Sequence, residues 1–120
     1  MNHPNLPEDK VPYWDFDAPD IPNALRDVSA GSLMASAYIE LSTLTKDKEL
    51  SNRYLDLAKQ QLKSLTSPAY LAEAGTNHDF ILKHSVGNLP GKSEVDVPLT
   101  YADYYYVEAL VRYKNLMLKK

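Results

Sequence analysis

The chain has 120 residues, 44% hydrophobic and 24% charged, which is the composition of an ordinary globular protein of one domain at most. A net charge of −3 and a pI near 5.5 give no electrostatic footprint for nucleic acid, and no basic patch exceeds the terminal Lys119-Lys120. The absence of cysteine excludes a disulfide framework, a thiolate nucleophile and a Cys-based zinc site, and no apolar run approaches the roughly 18 residues of a membrane span.

Residues 1–27 read as loop, with short turns at Asn5 and Asn23. Met1 to Asn5 is polar and lacks the apolar core of a signal peptide. Whether Met1 is a start or sits inside a longer frame stays open, since Asn2 to Lys10 reads as mid-protein loop. Pro12, Pro19 and Pro22 fix φ and withhold backbone donors, so the stretch around Trp14 is an ordered loop rather than a helix or central strand. Trp14, the only tryptophan, stands beside Asp15 and Asp17, with Arg26 a few residues on. An aromatic face, carboxylates and an arginine on one rigid loop are the parts of a sugar-binding wall. The same residues also fit a proline-rich connection whose Trp14 plugs a core.

Asp27 is placed to cap a helix from about Val28 to Leu44, with Ser29 part of the same cap. Ala30, Leu33, Ala37, Leu41 and Leu44 fall on one helical face. The first half is unusually rich in Ala, Gly and Ser, which permits close approach of neighbouring helices. Asp47 caps a second helix from about Glu49 to Leu65, apolar at Leu55, Ala58, Leu62 and Leu65 and polar on the other side. The short connection makes residues 28–66 an antiparallel helical hairpin. Ser67-Pro68 ends it. Residues 67–99 read as loop with one short extended segment over Phe80 to Val86, and Gly87 to Ser93 as loop. Thr100 is expected to cap the last helix, residues 100–118. The first half of that helix, Tyr104 to Val111, is apolar or aromatic almost all round, as in a helix buried in a larger assembly.

Several constellations carry chemistry. Asp15 and Asp17, two apart on one loop, share a face, whereas the paired carboxylates of glycoside hydrolysis sit across a bond at roughly 5–9.5 Å. Arg26 suits a carboxylate, on a ligand or on a neighbouring Asp. His84, Ser85 and Asp103 contain the residue types of a hydrolytic triad but lack a Gly-x-Ser-x-Gly elbow, and adjacent strand residues point to opposite faces. His3, His78 and His84 have no metal-ligand spacing.

The run Tyr13-Trp14-Asp15-Phe16-Asp17-Ala18-Pro19, then Arg26-Asp27-x-Ser29-Ala30, resembles the C-terminal part of the unsaturated glucuronyl hydrolases, glycoside hydrolase family 88. So do Leu82-Lys83-His84-Ser85-Val86-Gly87 and Glu94-Val95-Asp96-Val97-Pro98-Leu99-Thr100-Tyr101-Ala102-Asp103-Tyr104-Tyr105. The resemblance covers essentially the whole chain. It implies an all-α fold, the C-terminal third of an (α/α)6 barrel of helical hairpins with long loops and at most a short strand. It implies a partial domain over residues 1–120 whose partner is the missing N-terminal part of the barrel. Family enzymes hydrate the 4,5-double bond of unsaturated uronic acids at the non-reducing end of glycosaminoglycan-derived oligosaccharides, and the hemiketal so formed opens and releases the sugar. The two key aspartates of the family lie in the N-terminal portion, so no residue here inherits that role, and the chain alone is expected to be inactive. Trp14, Asp15, Asp17, Arg26, His84 and Ser85 are the residues expected to touch the oligosaccharide. Asp27, Ser29 and Thr100 are expected to cap helices. No metal and no organic cofactor is implied, nor nucleic acid or membrane as partner. Asn88 and Pro90 stand where family members that read a sulfate are thought to carry a hydroxyl and a basic residue. The parent of such a segment would be bacterial, cytoplasmic or periplasmic. Two alternatives stand beside this reading: an unsaturated rhamnogalacturonyl hydrolase of the sister (α/α)6 family, and a non-enzymatic helical interaction module.

Overall fold

The computed structural model describes residues 3–119. The identity of Met1 as a start and Lys120 of the terminal lysine pair therefore lie outside the described residues. Among the described residues three α-helices carry the fold: α1 (Val28–Leu44), α2 (Lys48–Leu65) and α3 (Thr100–Leu118). A two-stranded antiparallel hairpin, β1 (Ser85–Asn88) and β2 (Ser93–Val97), leads into α3. Helix α1 lies between α2 and α3, which scarcely touch each other.

The local signals that start α1 and α2 act as their chemistry requires. Asp27 adopts extended φ/ψ and its carboxylate accepts the Ser29 amide, and Asp47 accepts the Leu50 amide. Helix α2 buries Leu55, Ala58, Leu62 and Leu65 and leaves Arg53, Asp56, Lys59, Gln60 and Lys63 in solvent, the amphipathic division expected.

Thr100 does not cap α3. The capping position belongs to Leu99, which is extended (φ −130°, ψ 139°) and has no side-chain oxygen to offer. Thr100 is already inside the helix and exposed. The Ala102 and Asp103 amides instead donate to the Leu99 carbonyl at 3.1 and 3.4 Å.

The apolar stripe expected on α1 is likewise not the face that is buried. Leu33, Leu41 and Leu44 are 47%, 40% and 69% exposed, while Val28, Gly31, Ser32, Ala35, Ser36 and Ile39 form the buried side. The reason is the central position of α1. Contact with a helix on either side selects the small residues that let backbones approach, and bulky leucines are turned outward. The serines on that face are tolerated because most find oxygen partners. Ser42 Oγ donates to the Ile39 carbonyl at 2.6 Å, and Ser36 Oγ donates to Glu108 Oε1 of α3 at 2.6 Å. Arg112 Nη1 completes this cross-helix contact at 3.1 Å from the Ser36 carbonyl and 3.2 Å from Glu40 Oε2. The Ser36 hydroxyl is the main cause of a Glu108 carboxyl held below its usual value, with the Arg112 charge adding to it and burial opposing it.

Helix α3 buries Ala102, Tyr106 and Ala109 and exposes Tyr104, Val107, Leu110 and Val111. A groove of about 690 Å³ runs along that outer face between Tyr104, Val107 and Val111. With the outward leucines of α1, this leaves two helices with substantial uncovered apolar surface.

The extended segment expected over Phe80 to Val86 bridges Leu71 at Leu82 and runs at Ser85 into β1, but the strand continues past it and pairs with β2, so Gly87, Asn88 and Ser93 belong to strands rather than to a loop. Ser85 pairs with Val97 and Val86 with Val95, which leaves Asp96 as the extra residue of a β-bulge. Asp96 has φ +51°, so the bulge redirects its side chain.

Candidate functional site

The Trp14 loop is closed at its base by antiparallel pairing. Tyr13 bridges Arg26, the Trp14 amide donates to the Leu25 carbonyl at 2.9 Å, and the Asp27 amide donates to the Pro12 carbonyl at 2.9 Å. The proline-rich interior then needs few ladder bonds of its own. Half-buried Trp14 packs with Ile21 on a small cluster of Tyr13, Ala18 and Ala24, separate from the main core. Asp15 and Asp17 are exposed at the turn, where Asp15 Oδ1 accepts the Asp17 amide at 2.8 Å. Their carboxylates are therefore adjacent on one turn rather than opposed across a space.

Arg26 is a hub. Its Nη1 donates to Asp9 Oδ1 at 2.8 Å, to the Val11 carbonyl at 2.9 Å and to the Tyr70 hydroxyl at 3.1 Å. The guanidinium also lies 4.8 Å from the centre of the Tyr13 ring, within cation–π range. Tyr70 donates to Asp9 Oδ2 at 2.7 Å, closing a triangle of Arg26, Asp9 and Tyr70. Burial, then the hydrogen bond to the Asp9 carboxylate and its charge, push the Tyr70 phenol well above its ordinary value of 10.0.

A raised phenol makes the neutral form the one that folding prefers. The unfolded chain ionises Tyr70 first, so this part of the stability is complete below pH 10 and falls as pH rises beyond it. Tyr70→Phe should flatten the alkaline limb of a stability–pH profile measured by urea unfolding from about pH 9 to 11. An unchanged slope would show that Tyr70 does not govern it.

Tyr70 also connects the hub to the second half of the site. The His84 ring meets the Tyr70 ring edge-on, with centroids 6.4 Å apart. His84 itself is unusual, a non-glycine residue at φ +67°. Its carbonyl accepts the Val28 amide at 3.1 Å, in the first turn of α1. Its Nδ1 lies 2.7 Å from Oδ1 of the bulged Asp96, and both side chains are partly open to solvent.

Ser85 faces the other way. It is fully buried and its Oγ has no hydrogen-bond partner among the described residues. Asp103 accepts from the Ile81 and Leu82 amides and makes no hydrogen bond to His84 or Ser85, so the three residues do not assemble a nucleophilic triad. Asp27 does more than cap: its Oδ1 accepts the Ser29 amide at 3.1 Å, the Ser29 hydroxyl at 2.6 Å and the Val86 amide of β1 at 3.2 Å.

The structure thus brings both Arg26 and His84 to Tyr70, the first to its hydroxyl and the second to its ring. No hydrogen bond joins Trp14, Asp15 or Asp17 to His84 or Ser85 among the described residues. No cluster of three or more His, Asp or Glu side chains among the described residues is spaced to hold a metal ion. No helix among them is long and apolar enough to cross a membrane. Asp9, Tyr70 and Asp96 are the residues that sequence reasoning missed. Asp96 had a signal, the acidic and apolar alternation of Glu94-Val95-Asp96-Val97, which is that of a strand. Asp9 and Tyr70 had none, being 61 residues apart.

No family model matches the chain. It is 51% identical over 119 residues to the unsaturated glucuronyl hydrolase of Formosa agariphila, a match covering 99% of this chain and 29% of that protein. The crystal structure of an unsaturated glucuronyl hydrolase specific for heparin superposes with a TM-score of 0.93 at 51% identity, covering 98% of this chain and 31% of the other. A variant of the Streptococcus agalactiae unsaturated glucuronyl hydrolase, complexed with dGlcA-GalNAc6S, superposes with a TM-score of 0.80 at 31% identity, covering 91% of this chain and 29% of that one. The chain therefore spans less than a third of the length of the relatives it matches.

Proposed function

Because the chain belongs to the unsaturated glucuronyl hydrolase family and spans less than a third of its members, we propose that it supplies one side of a helical barrel that hydrates unsaturated uronic acids at the non-reducing end of glycosaminoglycan oligosaccharides. In that reaction a proton is added to one carbon of the 4,5-double bond and water to the other. The hemiketal then opens to the ketone, and the sugar beyond the glycosidic bond departs. The step needs a positioned carboxyl acid/base and a water. In this reading those groups come from outside the chain. The chain contributes Trp14 as a stacking face, the polar turn of Asp15 and Asp17, and His84 at the mouth of the hairpin. Arg26 serves as the clamp that holds the Trp14 loop to the core, since its Nη1 already meets three acceptors within the chain.

The observation that carries the reading is the continuous 51% identity over 99% of the chain. The uncovered faces of α1 and α3 support it, because apolar surface of that extent is normally buried against something. A heparin-type unsaturated disaccharide is the first substrate to try, since that is the specificity stated for a structure sharing 51% of its residues.

The test is complementation. The chain is co-expressed with the part of the Formosa agariphila relative that lies outside its matched segment. Turnover is followed by loss of the ultraviolet absorbance of the conjugated double bond. Activity is expected only when both pieces are present. Activity from the complementing piece without this chain would refute the proposed contribution, and so would inactivity of a soluble two-piece complex. Product analysis on pectin-derived disaccharides separates the unsaturated rhamnogalacturonyl alternative.

A further inference from the structure

Asp103 is used neither by the hydrolytic reading nor by the cap of its own helix. It lies in the first turn of α3, yet its carboxylate turns away to the chain before β1. Oδ2 accepts the Ile81 amide at 2.8 Å and Oδ1 accepts the Leu82 amide at 3.0 Å. Asp27, at the start of α1, grips the same stretch from the other side of His84 through the Val86 amide at 3.2 Å. Two carboxylates from two helix N-termini thus bracket residues 81–86.

Between them sits His84 at φ +67°, a conformation that costs a non-glycine residue on the order of 1–3 kcal/mol and persists only where the surroundings over-determine it. The surroundings here can be counted. Leu82 is fully buried in the main core, and the Lys83 amide donates to the Tyr70 carbonyl at 2.8 Å. The His84 carbonyl is held by the Val28 amide at 3.1 Å. Asp103 adds two charge-assisted bonds immediately upstream, each stronger than a neutral one. With the backbone held on both sides, the direction of the His84 Cα–Cβ bond is fixed, and from there the imidazole reaches Asp96 of the bulge and the edge of Tyr70.

We infer that Asp103 is a positioning residue. By fixing the Ile81 and Leu82 amides it sets the left-handed turn that presents the His84 imidazole to the substrate side of the hairpin. The inference rests on the pocket-wall reading for what His84 would meet, but not for how His84 is held.

The experiment follows the His84 imidazole Cε1–Hε1 cross-peak in carbon–proton spectra of the full chain at fixed pH, with His3 as an internal reference. Asp103→Ala is expected to shift or broaden the His84 signal while His3 stays in place, and Asp103→Glu to return it toward the wild-type position. If Asp103→Ala does not fold, Asp103→Asn, which keeps the shape but loses one acceptor, takes its place and is expected to move the His84 signal from its wild-type position while His3 stays in place. A staple that matters only for stability would lower the melting midpoint and leave the His84 signal unmoved in the folded variant, and that result overturns the inference. Titration of the complemented two-piece assembly, with this chain labelled, with an unsaturated heparin-type disaccharide provides the separate arm. A His84 signal that moves in Asp103→Ala but not with the sugar supports the positioning role and counts against the pocket wall.

Discussion

Asp27→Ala is expected to lower the stability of the chain by about 3 kcal/mol, from the combined loss of a helix cap and of acceptors for partly buried donors. At this chain length that corresponds to a fall in melting midpoint of roughly 10 °C by circular dichroism. The size follows from what one oxygen does. Asp27 Oδ1 takes the Ser29 amide, the Ser29 hydroxyl and the Val86 amide, so its removal frays the start of α1 and releases β1 together. Asp27→Asn is the informative partner. Asparagine caps as well as aspartate and keeps one carbonyl oxygen in place, so it should recover more than half of the loss. If Asp27→Ala melts within about 2 °C of wild type, Asp27 caps nothing of consequence and β1 is held by other means.

Leu82→Ala should be similarly damaging, costing about 3 kcal/mol within the 2–5 kcal/mol spread of buried leucine truncations. Leu82 is fully buried in the main core, and its backbone amide is one of the two held by Asp103. The cavity therefore opens beneath the segment that carries His84. Urea denaturation of Leu82→Ala beside Leu44→Ala gives the contrast. Leu44 is 69% exposed, and its truncation in the isolated chain should change stability by no more than about 0.5 kcal/mol. Equal losses at the two positions would mean that the outward leucines of α1 are buried in solution, by self-association or otherwise. In the complemented two-piece assembly Leu44→Ala should become costly if the added piece covers that stripe.

The contrast between these leucines marks how far the sequence could be read. Helix α1 carries two plausible inner faces, a leucine stripe and a stripe of glycine, alanine and serine. A 3.6-residue period identifies both and ranks the leucines first by hydrophobicity. The ranking fails because the choice depends on how many neighbours the helix has and how near they come, which periodicity does not contain. The Thr100 cap failed for a related reason. Threonine is a good cap only one position before the helix, and the hydrogen bonds to the Leu99 carbonyl place it one position inside.

What the amino-acid sequence by itself determined is local or lexical. The extent of α1, the amphipathic division of α2, and the Asp27 and Asp47 caps were legible because their hydrogen bonds and spacings span only two to four residues. The family was legible from separated motifs in the right order, which needs no geometry. The tertiary structure alone decided the rest. Asp9, Arg26 and Tyr70 meet across separations of 17, 44 and 61 residues. Asp96 reaches His84 because a bulge redirects it, and Asp103 turns from its own helix to the Leu82 amide, 21 residues upstream and ahead of β1. These contacts depend on how the three helices pack, and a carboxylate within 3 Å of an amide far away in sequence is written in no local pattern.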